Sequence, residues 1–116
     1  MSNDSVIKKK SMEFAKRIVG LYQYLCREQC EFVMSKQVLR SGTSIGANVA
    51  EAIYGSSRKD FAAKLQIARK ESAETLYWLE LLHECAYLPD KLFQSLYGDC
   101  KELMALLTAT IKACEE

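Results

Sequence analysis

SKQVLRSGTSIGANVAEAIYGSSRKDFAAKLQIARKESAETLYWLELL, residues 35–82, encodes two amphipathic helices and the turn between them. In its first half Val38, Gly42, Ile45, Val49 and Ala52 recur at helical steps, with Leu39, Gly46, Ala50 and Ile53 as a second seam beside them. Ser35 is the predicted N-cap, because its hydroxyl can accept from an otherwise unpaired first-turn N–H. A glycine inside a helix costs about 1 kcal/mol relative to alanine. Gly42 and Gly46 therefore predict a face that a neighbouring backbone approaches closely. Both seams stay in register across the glycines, which favours one continuous helix over a glycine loop between Leu39 and Ile45. Gly55 is the predicted left-handed residue that ends this helix.

The next helix announces its start. Ser57-Arg58-Lys59-Asp60 has the capping-box pattern. Phe61, Leu65, Ala68, Ser72, Thr75, Leu79, Leu82 and Ala86 then alternate steps of four and three, a heptad seam whose small members lie mid-helix. Asp60 and Lys64 are spaced for an i, i+4 ion pair. Pro89 is the predicted end of this helix and the opening of the next, since a first turn does not need its missing N–H.

Outward from this segment, Phe14, Ile18, Leu21 and Leu25 mark a first helix over about Val6 to Gln29. Leu92, Phe93, Leu96, Cys100, Leu103, Leu107, Ile111 and Cys114 mark a fourth, with Gly98 a weak point inside it. Four long amphipathic helices joined by short links predict an all-α fold: an antiparallel up-down-up-down four-helix bundle, one domain over residues 1–116. At 1.5 Å per residue the third helix spans about 45 Å, so the bundle is expected to be long, thin and prone to self-association.

Composition sets the class. The chain has 116 residues, 49% hydrophobic and 27% charged, as expected of a soluble globular protein with one core. MSNDSVIKKK is polar, then basic, and no apolar run follows it, which argues against a signal peptide. No stretch approaches the roughly 18 apolar residues of a membrane span. The expected location is the cytoplasm, with no membrane partner. Cys26, Cys30, Cys85, Cys100 and Cys114 are an odd set with no Cys-x-x-Cys spacing, predicting reduced, mostly buried thiols.

Net charge is only +1, but residues 1–70 carry 13 Lys/Arg against 6 Asp/Glu, and residues 71–116 carry 3 against 9. Lys8, Lys9, Lys10, Lys16 and Arg17 fall early in the first helix, and Arg58, Lys59 and Lys64 early in the third. Antiparallel threading brings both starts to one pole, with Glu115 and Glu116 beside them. Such a cluster suits salt-dependent, sequence-independent phosphate contacts, hence RNA or DNA. It also suits an ordinary solvated face, and the residues alone leave both open. A polar strip of Ser41, Ser44, Asn48 and Glu51, with Arg40 beside it, is the candidate oligomer interface, set against an outward polar face.

Catalytic constellations are missing from the pattern. There is a single histidine, His83, and no Gly-x-Ser-x-Gly elbow, phosphate-binding loop or dinucleotide fingerprint. The expectation is a non-enzymatic protein with no cofactor and no catalytic residues. Two weak metal alternatives exist: Glu80-x-x-His83, a spacing used by di-iron bundles, and a set of Cys26, Cys30, His83 and Cys85 at one pole. Neither outweighs a solvated flank and free thiols, so no metal is expected.

SKQVLRSGTSIGANVAEA (35–52), DFAAKLQIARKESAETLYWLELL (60–82) and FAKRIVGLYQYL (14–25) together resemble the four-helix bundle family named after proteins encoded in intervening sequences of bacterial 23S ribosomal RNA genes. Ser72 stands where that family's pattern suggests alanine, and the fourth helix matches only in its apolar positions. The resemblance implies an antiparallel bundle and a homopentamer. The chain is also similar to accessory variability proteins of diversity-generating retroelements, which bind nucleic acid and a reverse transcriptase. Those proteins look strongly basic, whereas the pI here is about 7.6. The resemblance implies no settled biochemical activity. The leading expectation is binding of RNA, ribosomal RNA included, or of DNA by a homo-oligomer through a basic pole; the alternative is a protein–protein interaction scaffold.

Overall fold

A computed structural model describes residues 2–115 as helices α1 (Ser2–Arg27), α2 (Met34–Ile53), α3 (Arg58–Glu84) and α4 (Asp90–Glu115). Cross-helix contacts set their directions. A Cβ on Gly42 would meet Ile18, and one on Gly46 would meet Ser11, so α1 and α2 run antiparallel. Thr75 reaches Ser41 and Lys64 reaches Glu51, which orients α3 against α2. Cys100 donates to the Ser72 carbonyl and Tyr97 to Glu80, placing α4 against α3. Lys10 meets Glu102 and Arg17 meets Asp99, closing the ring between α4 and α1. The result is an up-down-up-down bundle in which α1 and α3 are diagonal. It measures 44 × 20 × 19 Å, the elongated shape that a 27-residue α3 of about 40 Å requires.

The seams form the core. Phe14, Ile18, Leu21 and Leu25 are buried, with Ile7 a further two turns upstream. From the other helices come Val38, Ile45, Val49, Leu65, Ala68, Leu79, Leu82, Leu96, Cys100, Leu103, Leu107 and Ile111. The helix through Gly42 and Gly46 is continuous, and Gly42 has the packing reason that the spacing implied, whereas a Cβ at Gly46 would make ordinary van der Waals contact. A Cβ at Gly42 would lie 2.8 Å from Ile18 Cγ1, and one at Gly46 would lie 3.4 Å from the Ser11 carbonyl oxygen.

Helix ends differ from expectation in several places. Ser35 is not the N-cap of α2. It lies one residue inside the helix, fully buried, and the cap position is Val33, which has no side chain able to accept. Glu31 does the capping instead: its carboxylate accepts from the N–H groups of Val33 (3.1 Å), Met34 (3.0 Å) and Ser35 (2.6 Å). Burial pushes this carboxyl up, but the three backbone donors and Ser35 outweigh burial and hold it below the usual range. Gly55 is not left-handed; its need is space, because a Cβ there would lie 3.1 Å from the Ala52 carbonyl oxygen. The capping box at Ser57 forms, with Ser57 Oγ accepting from Asp60 N at 3.0 Å. Lys64 pairs across the groove with Glu51 at 2.9 Å.

α3 stops at Glu84, five residues before Pro89. Ala86 takes φ 66°, its N–H bonds the His83 carbonyl, and the Tyr87 N–H bonds the Leu82 carbonyl. This pair of bonds is a Schellman turn, normally built on glycine. Ala86 thus falls outside the helix whose seam it continues in sequence. Pro89 sits just before α4 and supplies the carbonyl that accepts from Phe93 N at 2.9 Å.

Candidate nucleic-acid interface

Helical rotation sorts the basic residues of α1. Phe14, Ile18, Leu21 and Leu25 point inward, which sends Lys9 and Lys16, two turns apart, to the outer face. Lys8, Lys9 and Lys16 are exposed and have no ion-pair partner among the described residues. Lys10 and Arg17 fall on the flank toward α4 and are engaged there. Lys10 Nζ lies 3.4 Å from Glu102, and Arg17 Nη1 lies 2.6 Å from Asp99 Oδ2 and 3.0 Å from Ser95 Oγ. These pairs flank a groove of ≈ 190 Å³ between α1 and α4. Part of the opposed charge in the two halves of the chain is therefore used internally. Exposed pairs of this kind are worth about 0–1 kcal/mol each, so they set register more than stability.

On α3, Arg58 and Lys59 are the first two residues and are exposed, again with no ion-pair partner among the described residues. Lys64 is occupied by Glu51. The starts of α1 and α3 lie at one end of the bundle but on diagonal helices, joined over that end by the α2–α3 turn. Glu115 ends α4 at the same pole; Glu116 lies outside the described residues. Of the eight cations predicted for phosphate contact, Lys8, Lys9, Arg58 and Lys59 are left unpaired toward this end and Lys16 is left unpaired at the middle of α1; Arg27, Lys36 and Lys91, on other parts of the surface, are also exposed and without an ion-pair partner among the described residues.

The polar strip on α2 faces mostly α3. Ser41 is fully buried, with its hydroxyl 2.9 Å from Thr75 Oγ1, so it belongs to the chain's own core and not to a surface that a second subunit could touch. Arg40 donates to Glu71 at 3.2 Å and to Glu74, and Glu74 accepts from the Trp78 indole at 2.9 Å. The indole and then the guanidinium hold the Glu74 carboxyl below its ordinary range against the effect of burial. Glu51 takes Lys64. Ser44 and Asn48 remain half-buried; Asn48 Nδ2 donates to the Ser44 carbonyl at 2.9 Å within the helix.

Neither metal alternative assembles. Among the described residues no three His, Cys, Asp or Glu groups converge on a point where an ion could sit. His83 Nε2 pairs with Asp90 Oδ1 at 2.7 Å and its ring stacks on Phe93 at 4.1 Å, while Glu80 accepts from Tyr97. All five cysteines are free, but only Cys100 is fully buried; Cys30 and Cys85 are exposed at turns, contrary to the expectation of mostly buried thiols. Burial, with the neighbouring Asp99 charge, pushes the Cys100 thiol up to about 12, leaving it unreactive.

One surface group escaped the sequence reading. Tyr54, the C-cap of α2, is 80% exposed, more than any other large hydrophobic side chain among the described residues. The signal for it was present: an aromatic in a Gly-Ser-Ser turn directly before Arg58 and Lys59 has no seam to join.

No helix among the described residues is long and apolar enough to cross a membrane. The sequence pattern described as 23S rRNA-intervening sequence protein matches residues 3–109. A crystal structure from Bacteroides thetaiotaomicron VPI-5482, described as a protein with unknown function from the S23 ribosomal protein family, is 55% identical. The similarity covers 95% of this chain and 98% of that one, with a TM-score of 0.93. No curated protein matches.

Proposed function

This chain belongs to the 23S rRNA-intervening sequence protein family, and on that premise we propose that it is a non-enzymatic, cytoplasmic, homo-oligomeric bundle that binds RNA or DNA through its basic pole. The observation that carries this reading is the sorting of cations. Lys8, Lys9, Lys16, Arg58 and Lys59 stay exposed and without ion-pair partners among the described residues, while Lys10, Arg17 and Lys64 are neutralised within the chain. Free cations on a rigid body bind phosphates with a strong salt dependence and little sequence preference. An oligomer, a pentamer by the family resemblance, repeats a modest patch and multiplies its avidity. Ser44 and Asn48, half-buried beside exposed Ala47 and Ala50, are the groups of the α2 strip left to face a second subunit.

A gel shift with labelled structured RNA, run from low to physiological salt, tests the reading. Binding that weakens steeply with salt is expected. No binding at low salt, with the oligomer intact by sedimentation, sinks it. A strict 13.2 kDa monomer in sedimentation removes the oligomer.

The second reading, a protein–protein scaffold, is favoured by one feature. A groove of ≈ 220 Å³ between α1 and α2 is lined by Met12, Ala15, Thr43, Gly46, Ala47 and Ala50, and Met12 is 62% exposed. This reading predicts self-association without any effect of added nucleic acid.

A further inference from the structure

We infer that the Tyr54 ring is a stacking platform for an unpaired nucleobase, with Arg58 and Lys59 holding the adjoining phosphates. This rests on the nucleic-acid reading above and names what the site takes: single-stranded segments, not duplex.

The argument begins with a side chain that does nothing for the fold. Tyr54 is 80% exposed, so its ring contributes almost no burial. Its backbone, in contrast, is tightly held. The Tyr54 N–H bonds the Ala50 carbonyl at 3.2 Å, and the Gly55 N–H bonds the Ala52 carbonyl at 3.1 Å. Ser56 Oγ donates to Asp60 Oδ2 at 2.8 Å, and Ser57 Oγ accepts from Asp60 N at 3.0 Å. Every residue of the link from α2 to α3 is tied down, so the ring is presented from a fixed base. Little backbone ordering is then lost on binding.

Charge around the ring favours a phosphate chain. Arg58 and Lys59 follow within one turn and are exposed. Of the nearby carboxylates, Glu51 is paired with Lys64 at 2.9 Å, while Asp60 accepts from the neutral Ser56 hydroxyl and keeps its charge, so two unpaired cations stand against one carboxylate. An exposed aromatic with cations close by in the chain suits single strands, since every base has a π-face to stack and the backbone carries the phosphates that the charges attract. In a duplex those faces are stacked on each other and closed to Tyr54.

The test is fluorescence anisotropy at fixed low salt with a labelled 20-nucleotide single-stranded RNA, the same sequence as single-stranded DNA, and the blunt RNA duplex. The oligomer is used as purified, as wild type, Tyr54→Ala and Tyr54→Phe. The single strands are expected to bind more tightly than the duplex, and their ratio assigns the preferred sugar. Tyr54→Ala is expected to weaken single-strand binding about 5-fold or more with an unchanged salt slope, and Tyr54→Phe to keep it. Circular dichroism confirms that each variant folds. Salt-dependent binding that is equal or better for the duplex, or untouched by Tyr54→Ala, overturns this inference and leaves the broader reading standing. Absence of binding to all three nucleic acids overturns both.

Discussion

The carboxylate of Glu31 lies 2.6 Å from the backbone nitrogen of Ser35 and also takes the N–H groups of Val33 and Met34. One nearly buried side chain thus satisfies three of the donors that a helix start leaves open. Glu31→Ala strands those donors and is expected to cost about 1–3 kcal/mol in a denaturant melt. The pH dependence follows from the depressed carboxyl. Its folded value lies below its unfolded value, so the stabilisation is complete above the ordinary glutamate range, about pH 4.3, and is lost as pH falls further. Glu31→Gln should flatten that acid limb. A variant as stable as wild type, with the same acid limb, contradicts the capping role.

Ala86 occupies a left-handed position that costs a residue with a Cβ roughly 1–2 kcal/mol. Ala86→Gly removes that cost and keeps both bonds of the turn, so it should stabilise the bundle by about 1 kcal/mol. A thermal melt should rise by about 3–6 °C. No rise, or a fall, places the strain elsewhere.

Glycines within one bundle should respond with opposite signs. At Gly42 a Cβ meets Ile18 Cγ1 at 2.8 Å, and Ile18 is itself fully buried and has nowhere to go. Gly42→Ala is expected to cost about 1–3 kcal/mol by overpacking. At Gly98 nothing lies within 4 Å of an added Cβ, and Gly98→Ala should gain about 0.5–1 kcal/mol from helix propensity alone. Equal effects at the two positions refute the close approach of α1 to α2.

These cases show which parts of the fold were legible in residue order and which were not. The seams were legible because burial selects apolar groups at a fixed period, and Phe14 to Leu25 or Leu65 to Leu82 kept that period. Gly42 and Gly46 were legible for the same reason, as small members of a seam. The Ser57 capping box was legible because both partners lie within one turn. Ala86 was not, because alanine carries no mark of a left-handed backbone and its position continues the heptad. Glu31 was not, because it caps from outside the usual cap position. At the candidate site, residue counts located the cations but not their partners. Lys64 could be matched with Asp60 by spacing, yet its carboxylate is Glu51 on another helix. Only packing distinguishes the neutralised Lys10 from the exposed Lys9 next to it.

Inside the bundle, Ser41 and Thr75 share a contact of 2.9 Å, and Thr75 Oγ1 also lies 2.8 Å from the Glu71 carbonyl. Thr75 has one proton to give, so one of its two contacts relies on the Ser41 hydroxyl as donor. Ser41→Ala and Thr75→Val should each cost about 0.5–1.5 kcal/mol, and the double variant less than their sum. Strict additivity in that cycle means the two hydroxyls do not interact.

The distinction between Lys9 and Lys10 gives the basic pole its sharpest test. Lys9 faces outward without an ion-pair partner among the described residues, and Lys10 is held 3.4 Å from Glu102. A phosphate competes with nothing at Lys9, but must displace a carboxylate at Lys10. Lys9→Gln should therefore weaken RNA binding and reduce the slope of log K against log salt by about 0.7–0.9, the share of one phosphate contact. Lys10→Gln should change that slope less, and alter stability by under about 1 kcal/mol. The reverse order would mean that the ion pairs between α1 and α4 open on binding, and that the groove they flank takes part in the interface.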